Sequence, residues 1–279
     1  MYESLLLPTD GSPGAEEGIA RALDLASVFD ADLHALYVVE TNARPDALAT
    51  HEDFRQAGTR RGEAAVERIA DYADDFGVPA VSDVRIGLPH EEIRDYADAH
   101  DIDLIVMGTH GSDGESHRPG STTERVVTQS DRPVVSIRRG GPVDDLQSGH
   151  GMYDDVVVAT DGSADAERAA DRGLDIAERY GADVHVVYVV DTATYDRQDA
   201  SGSVVGLLKE GGSAATETVA EAARERRLSV ETRVTRGSPA AEIVAVADGV
   251  AADLLVVGTR GRAGTTDEVL GSTTARVVA

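Results

Sequence analysis

The sequence predicts an α/β protein built as two tandem units, each a doubly wound parallel sheet. Three observations lead there. LLLPTDGSPGAEEGIARALDLASVFDADLHALYVVE, residues 5–40, returns as VVVATDGSADAERAADRGLDIAERYGADVHVVYVVD, residues 156–191. RIGLPHEEIRDYADAHDIDLIVMGTHG, residues 85–111, returns as TRGSPAAEIVAVADGVAADLLVVGTRG, residues 235–261, so the whole unit is duplicated in order. Within each copy, short apolar runs alternate with stretches of helical spacing. That alternation demands right-handed crossovers between parallel strands.

The elements follow in order along the first copy. Residues 5–8 form an apolar run that stops at Thr-Asp-Gly-Ser, a strand ending in a turn. Residues 14–29 carry Ile19, Leu23, Ala26 and Val28 at helical spacing, which predicts one buried stripe. Residues 32–39 are a second strand. Residues 51–76 are a long helix, with Ala65, Ile69, Tyr72 and Phe76 expected on its inner side. Residues 80–86 are a third strand and 90–100 a short helix. DLIVMG, residues 103–108, is a continuous apolar run, as a strand covered on both faces requires. Residues 121–130 are a helix and 133–137 a fifth strand. The second copy repeats this order as far as a helix at 273–279, which matches 122–128, and no counterpart of RPVVSIRR follows. Either the chain is truncated there, or the second sheet lacks its last strand. Its DLLVVG run, residues 253–258, would be an open apolar edge, and self-association is expected. Domain bounds are read as 1–140 and 153–279. The Gly-, Pro-, Asp- and Ser-rich residues 141–152 form the linker.

Composition narrows the function. Fifty-one acidic residues against 26 basic leave a net charge of −25, a field that repels nucleic acids and anionic membranes. No apolar run approaches the ~18 residues of a membrane span. The start MYESLLLPTDG has neither basic n-region nor long apolar core, so the expected location is cytoplasmic. With no cysteine, disulfides, thiolate catalysis and Cys-ligated metals are removed. Lys209 is the only lysine, and Arg supplies every other basic side chain. This points to a protein of salty cytosol, stabilised by screening of its self-repulsion. A GC-rich coding sequence accounts for the same bias.

Two glycine segments carry the chemistry: GTHGSDGESHRPGSTT, residues 108–123, and GTRGRAGTTDEVLGSTT, residues 258–274. Each follows the fourth strand of its unit and precedes a helix. In an open parallel sheet, ligands bind there, beyond the carboxyl ends of the strands. Glycines admit a ligand close to the backbone, and exposed N–H groups receive phosphate. Neither G-x-x-x-x-G-K-S/T nor a G-x-G-x-x-G after the first strand is present. Gly-rich turns that only reverse the chain are the plain alternative.

The segments, the Thr-Asp-Gly-Ser turn, the Val-Val-Glu/Asp end of the second strand and the G-x-P-x-x-E-I stretch together resemble the universal stress protein family, in its ATP-binding branch. The DLLVVG copy matches the G-x2-G-x9-G-S/T pattern in full. The acidic, lysine-poor composition is similar to that of haloarchaeal members. The resemblance implies a strand order of 3-2-1-4-5, as in the adenine nucleotide alpha hydrolase-like fold, and ATP over strands one and four. It places Asp161 beside the adenosine moiety and the Val189 backbone at the adenine edge. Gly258, Gly261, Gly271, Ser272 and Thr273 would cradle ribose and phosphates. The matching positions in unit 1 are Asp10, Val38, Gly108, Gly111, Gly120, Ser121 and Thr122. Mg²⁺ would bridge the phosphates to Asp267 or Glu268, with Arg260 or Arg262 nearby.

Unit 1 departs from the pattern. Its segment is one residue shorter, HRP replaces EVL, Pro119 removes a donor before Gly120, and Asp113 and Glu115 add negative charge. His110, Asp113, Glu115 and His117 match no standard metal-site spacing, and solvated loop residues explain them better. Asp10 and Asp161 read equally as bases or as turn carboxylates bonding their own loop amides. His34 and His185 read as structural. Three functions stay open: a nucleotide-binding stress sensor or regulator, a slow ATPase, and a ligand-free association module.

Overall fold

Each unit is assembled around its most apolar strand. In the first, Leu5, Leu6 and Leu7 are all buried, covered from both faces of β1 (Ser4–Thr9). There follow α1 (Glu16–Phe29), β2 (Asp32–Glu40), α2 (His51–Phe76), β3 (Ala80–Gly87), α3 (Pro89–Ala99), β4 (Leu104–Gly108), α4 (Ser121–Gln129) and β5 (Val134–Ile137). The second unit holds β6 (Asp155–Ala159), α5 (Ala164–Tyr180), β7 (Asp183–Asp191), α6 (Gly202–Glu225), β8 (Val230–Gly237), α7 (Pro239–Val250), β9 (Leu254–Val256) and α8 (Ser272–Val278). This computed structural model describes residues 2–12, 16–40, 51–109, 120–137, 152–191, 202–261 and 270–278. By contacts, the chain separates into Met1–Ser148 and Gly149–Ala279.

Both sheets are parallel throughout. Their orders are β3-β2-β1-β4-β5 and β8-β7-β6-β9, so the doubly wound arrangement expected from the repeat is present twice, with four strands in the second sheet. In unit 1, α1 and α2 cover one face, while α3 and α4 cover the other. Leu6, Leu36, Ile105 and Met107 project toward Ile93, Tyr96 and Val126 to form the core of that second face. Val157, Ala159, Val187, Ile243 and Val246 form its counterpart in unit 2.

One repeated device fixes the central register. Asp103 Oδ2 accepts from the backbone N–H of Glu3 at 2.8 Å and of Ser4 at 3.1 Å. Asp253 Oδ2 accepts likewise from Asp154 at 2.9 Å and Asp155 at 3.1 Å. The carboxylate before β4 or β9 thus ties the start of β1 or β6 beside it.

Several expected details are corrected. The inner stripe of α2 runs Ala65, Val66, Ile69, Ala73, all buried, whereas Tyr72 and Phe76 are 41% and 45% exposed. A helix turns 100° per residue, so the small Ala73 takes the inward position and displaces the two aromatics. On α1 the buried residues are Ile19, Ala22, Leu23, Leu25, Ala26 and Phe29, and Val28 is only half-buried. β9 spans three residues instead of the expected six, because no fifth strand among the described residues extends its ladder.

Candidate functional site

The turn after the first strand is built identically in both units. Gly11 N–H donates to Thr9 Oγ1 at 3.1 Å, and Ser12 N–H donates to Asp10 Oδ1 at 2.9 Å. Gly162 and Ser163 repeat both bonds to Thr160 and Asp161 at 3.1 and 2.9 Å. The central glycines need φ near +70°, with Gly11 at 70° and Gly162 at 72°, which explains the shared spacing of Thr-Asp-Gly-Ser within the repeat. One carboxylate oxygen of each Asp is therefore a turn acceptor. Ser163 goes on to cap α5, accepting from Ala166 N–H at 3.2 Å.

The second strand overhangs the first. The β6–β7 register ends at Ala159 opposite Val187, while β7 continues to Asp191. Thr160 N–H donates to Val187 O at 3.0 Å, so the polar groups of Val187 face β6. Backbone polar groups in a strand alternate sides every residue. Those of Val189 therefore face the same way, past the end of β6, where no strand among the described residues lies beside them. In unit 1, Val38 holds the same position, one residue beyond the Thr9–Tyr37 pair that ends the β1 register. The Val189 and Val38 side chains are partly buried and pack on the cores of their units.

The glycine segment meets this turn from the side. A Cβ placed on Gly261 would lie 2.8 Å from Asp161 Oδ2, so the carboxylate rests directly over that backbone. Gly258 answers to packing: its Cβ would stand 3.1 Å from the backbone N and 3.2 Å from the Cα of Ala166, in the first turn of α5. Gly271 would press on Thr259 O at 3.3 Å. Each motif glycine in unit 2 thus permits a close approach, one to a helix, one to a carboxylate and one to the segment's own start.

The two ends of the segment are bonded to each other. Gly271 N–H donates to Thr259 O at 2.8 Å, and Thr274 Oγ1 donates to Gly258 O at 2.6 Å. Unit 1 repeats the pair: Gly120 N–H to Thr109 O at 2.7 Å and Thr123 Oγ1 to Gly108 O at 2.9 Å. Thr123 and Thr274 are buried, and sequence reasoning passed over both. The available signal was their recurrence as the last Thr of both Gly-Ser-Thr-Thr copies. Ser121 and Ser272 are exposed, and Thr122 and Thr273 are half-buried in the same helical turns. Gly271 occupies the cap of α8, since its carbonyl accepts the first helical bond, from Ala275 N–H at 2.9 Å. Gly120 does the same for α4, with no side-chain cap, and its carbonyl accepts from Glu124 N–H at 3.0 Å.

Gly111 and the residues His110, Asp113, Glu115, His117, Arg118 and Pro119 lie outside the described residues, as do Arg262, Asp267 and Glu268. Among the described residues, no group of three or more His, Asp or Glu side chains is placed to hold a metal ion. A groove of about 340 Å³ lies elsewhere, between the first half of α2 and Ile86 at the end of β3, lined by Arg55, Gln56, Arg60 and Glu63 among others.

The family model described as "Universal stress protein family" matches residues 1–138 and again 152–279. The chain belongs to the universal stress protein family. A universal stress protein of Methanocaldococcus jannaschii, MJ0531, is 37% identical over 142 residues, covering 50% of this chain and 84% of its own length. A universal stress protein of Mycolicibacterium smegmatis is 28% identical across 98% of this chain and 92% of its own. In structure, a universal stress protein of Archaeoglobus fulgidus superposes with a TM-score of 0.74 at 21% identity, over 99% of this chain and 92% of that one. That likeness establishes the fold of this universal stress protein. None of the helices among the described residues is long and apolar enough to cross a membrane.

Proposed function

We propose that this universal stress protein is an adenine-nucleotide-binding sensor or regulator, with ATP held in unit 2. One observation carries the reading. Asp161, the Gly261 backbone and the outward-facing polar groups of Val189 are grouped at the carboxyl ends of β6 and β7, where an open parallel sheet receives ligands. Asp161 takes the adenosine moiety, Val189 the adenine edge, and Gly258, Gly261, Gly271, Ser272 and Thr273 the ribose and phosphates. Unit 1 repeats the turn, the overhang and the bonded segment ends, so Asp10, Val38, Gly108, Gly111, Gly120, Ser121 and Thr122 form a second, weaker site. The same reading takes the protein as cytoplasmic and suited to high salt. There a Debye length of ~3 Å at 1 M leaves local N–H donors, rather than the net charge, to decide whether an anion binds. Among the solved structures similar to this chain is a universal stress protein in complex with cAMP.

Calorimetric titration of ATP, ADP and cAMP into the full chain in molar KCl tests the proposal. ATP is expected to bind, and Gly261→Val to weaken it by ~2 kcal/mol, about thirtyfold. The Val side chain would enter the space where Asp161 now meets the backbone. No heat with any of the three, or equal affinity in the variant, would remove ATP from this site. Steady release of phosphate from ATP would make the protein an enzyme instead of a sensor.

A further inference from the structure

The two carbonyls at the base of each glycine segment sit at the carboxyl end of a strand, where a strand leaves its last acceptors unpaired. In unit 2, Gly258 O and Thr259 O are both taken up from the far end of the segment, by Thr274 Oγ1 at 2.6 Å and Gly271 N–H at 2.8 Å. These bonds do two things. They hold the segment's ends together whatever lies between them. They also satisfy two acceptors whose negative ends would otherwise lie close to any bound phosphate.

The units differ in what else holds this base. In unit 1, Thr109 is buried and makes two further bonds to Ile137 O of β5, from its N–H at 2.9 Å and its Oγ1 at 3.1 Å. The equivalent Thr259 is exposed, and among the described residues no strand stands where β5 would. The hydroxyl of Thr274 therefore carries in unit 2 a task that unit 1 shares with a whole strand.

We infer that Thr274 is a positioning residue of the unit-2 nucleotide site, its hydroxyl fixing Gly258 and Gly271 in the relative placement that ligand binding requires, while Thr123 serves unit 1 in the same way with less at stake. The inference rests on the nucleotide reading above. Thr274 touches no ligand in this scheme. It acts through the two glycine backbones.

The test compares Thr274→Val, Thr274→Ser and Thr123→Val in the full chain. Valine keeps the shape and loses the donor; serine keeps the donor and loses the methyl group. Two readouts are taken: amide hydrogen exchange at Gly271, followed by NMR without nucleotide, and calorimetric affinity for ATP. Thr274→Val is expected to speed Gly271 exchange and weaken ATP roughly tenfold each, about the worth of one buried hydrogen bond. Thr274→Ser is expected to stay within about twofold of the parent, and Thr123→Val to leave Gly271 unchanged. Slow exchange across β6 shows that unit 2 remains folded. If the valine variant unfolds it, the serine variant decides alone, with parent-like binding supporting the hydroxyl and a loss pointing to packing. Parent-like affinity in a folded Thr274→Val overturns the positioning role while leaving the nucleotide reading in place. A parent chain that binds no ATP overturns the nucleotide reading first, and this inference with it.

Discussion

The histidines that recur on the second strand of each unit include one with a titration consequence. His34 lies on β2, its Nδ1 2.9 Å from Tyr96 Oη, while the Tyr96 ring stacks on His100 at 3.9 Å and lies 4.6 Å from the Arg85 guanidinium. Either group can donate in this bond, according to which imidazole nitrogen carries the proton. Burial, and then the neighbouring His100, hold the His34 pKa below its ordinary value, against a smaller opposing pull from Asp32. Tyr96 is raised, first by burial and then by Asp83, with Arg85 opposing. A histidine depressed in the folded state binds fewer protons there than in the unfolded chain. Its contribution is therefore complete above the unfolded pKa of about 6.5 and is lost as pH falls through the folded value. Thermal melts of the parent should thus decline from pH 7 to pH 5 more steeply than those of His34→Gln; parallel curves would show that His34 does not titrate against folding. Recurrence in the sequence marked His34 and His185 as structural but could not show their different surroundings. Tyr96 and His100 stand where unit 2 has Val246 and Val250. His185 instead meets Asp155 at 2.8 Å. Repeats announce shared positions, and the residues around them decide what each position does.

At the scale of elements, periodicity located every strand and helix among the described residues of unit 1 and left the packing of each helix to be found. The aromatics of α2 misled because hydrophobicity was taken as the sign of burial, whereas contact with the sheet favours small residues. Gly62 of α2 and Gly212 of α6 show it: a Cβ on either would stand 2.6 or 2.7 Å from the ring of Tyr37 or Tyr188 on the strand beneath. Gly206 and Gly211, on the same α6, face open space within 4 Å. One helix therefore holds glycines of opposite meaning. Gly206→Ala and Gly211→Ala should each stabilise unit 2 by about 0.5–1 kcal/mol, by removing backbone freedom from the unfolded chain at helical positions. Gly212→Ala should cost about 1–3 kcal/mol, because the Tyr188 ring must move within a packed layer. Urea unfolding of the three variants separates them. A stabilising Gly212→Ala would mean that the ring has room to retreat, and the close helix–strand approach would then not be what requires glycine there.

For the whole molecule, the duplicated fold was legible because duplication is itself a pattern, and the difference between the units lies in their edges. β3 carries Asp83 and Arg85, and β8 carries Glu231, Arg233 and Arg236, so both far edges present charges of the kind that discourage pairing with another sheet. β5, VVSI, and β9, LLV, carry none. β9 has no strand on its outer side among the described residues, and its Leu255 and the adjoining Val257 are only partly buried against the unit-2 core. An uncharged edge with unpaired N–H and C=O groups is a template for a further strand. The net charge of −25 opposes contact between two chains, but salt screens that repulsion while leaving edge hydrogen bonds and apolar burial intact. Self-association is therefore expected to grow between 0.1 M and 2 M KCl, the opposite of what ion pairing would give. Appending a strand with the sequence RPVVSIRR after Ala279 should cover β9 and reduce association at both salt concentrations. Sedimentation of the two chains at matched salt decides the matter. A parent chain that stays monomeric in 2 M KCl, or an extended chain that associates as strongly as the parent, would mean that the β9 edge is not where copies of this protein meet.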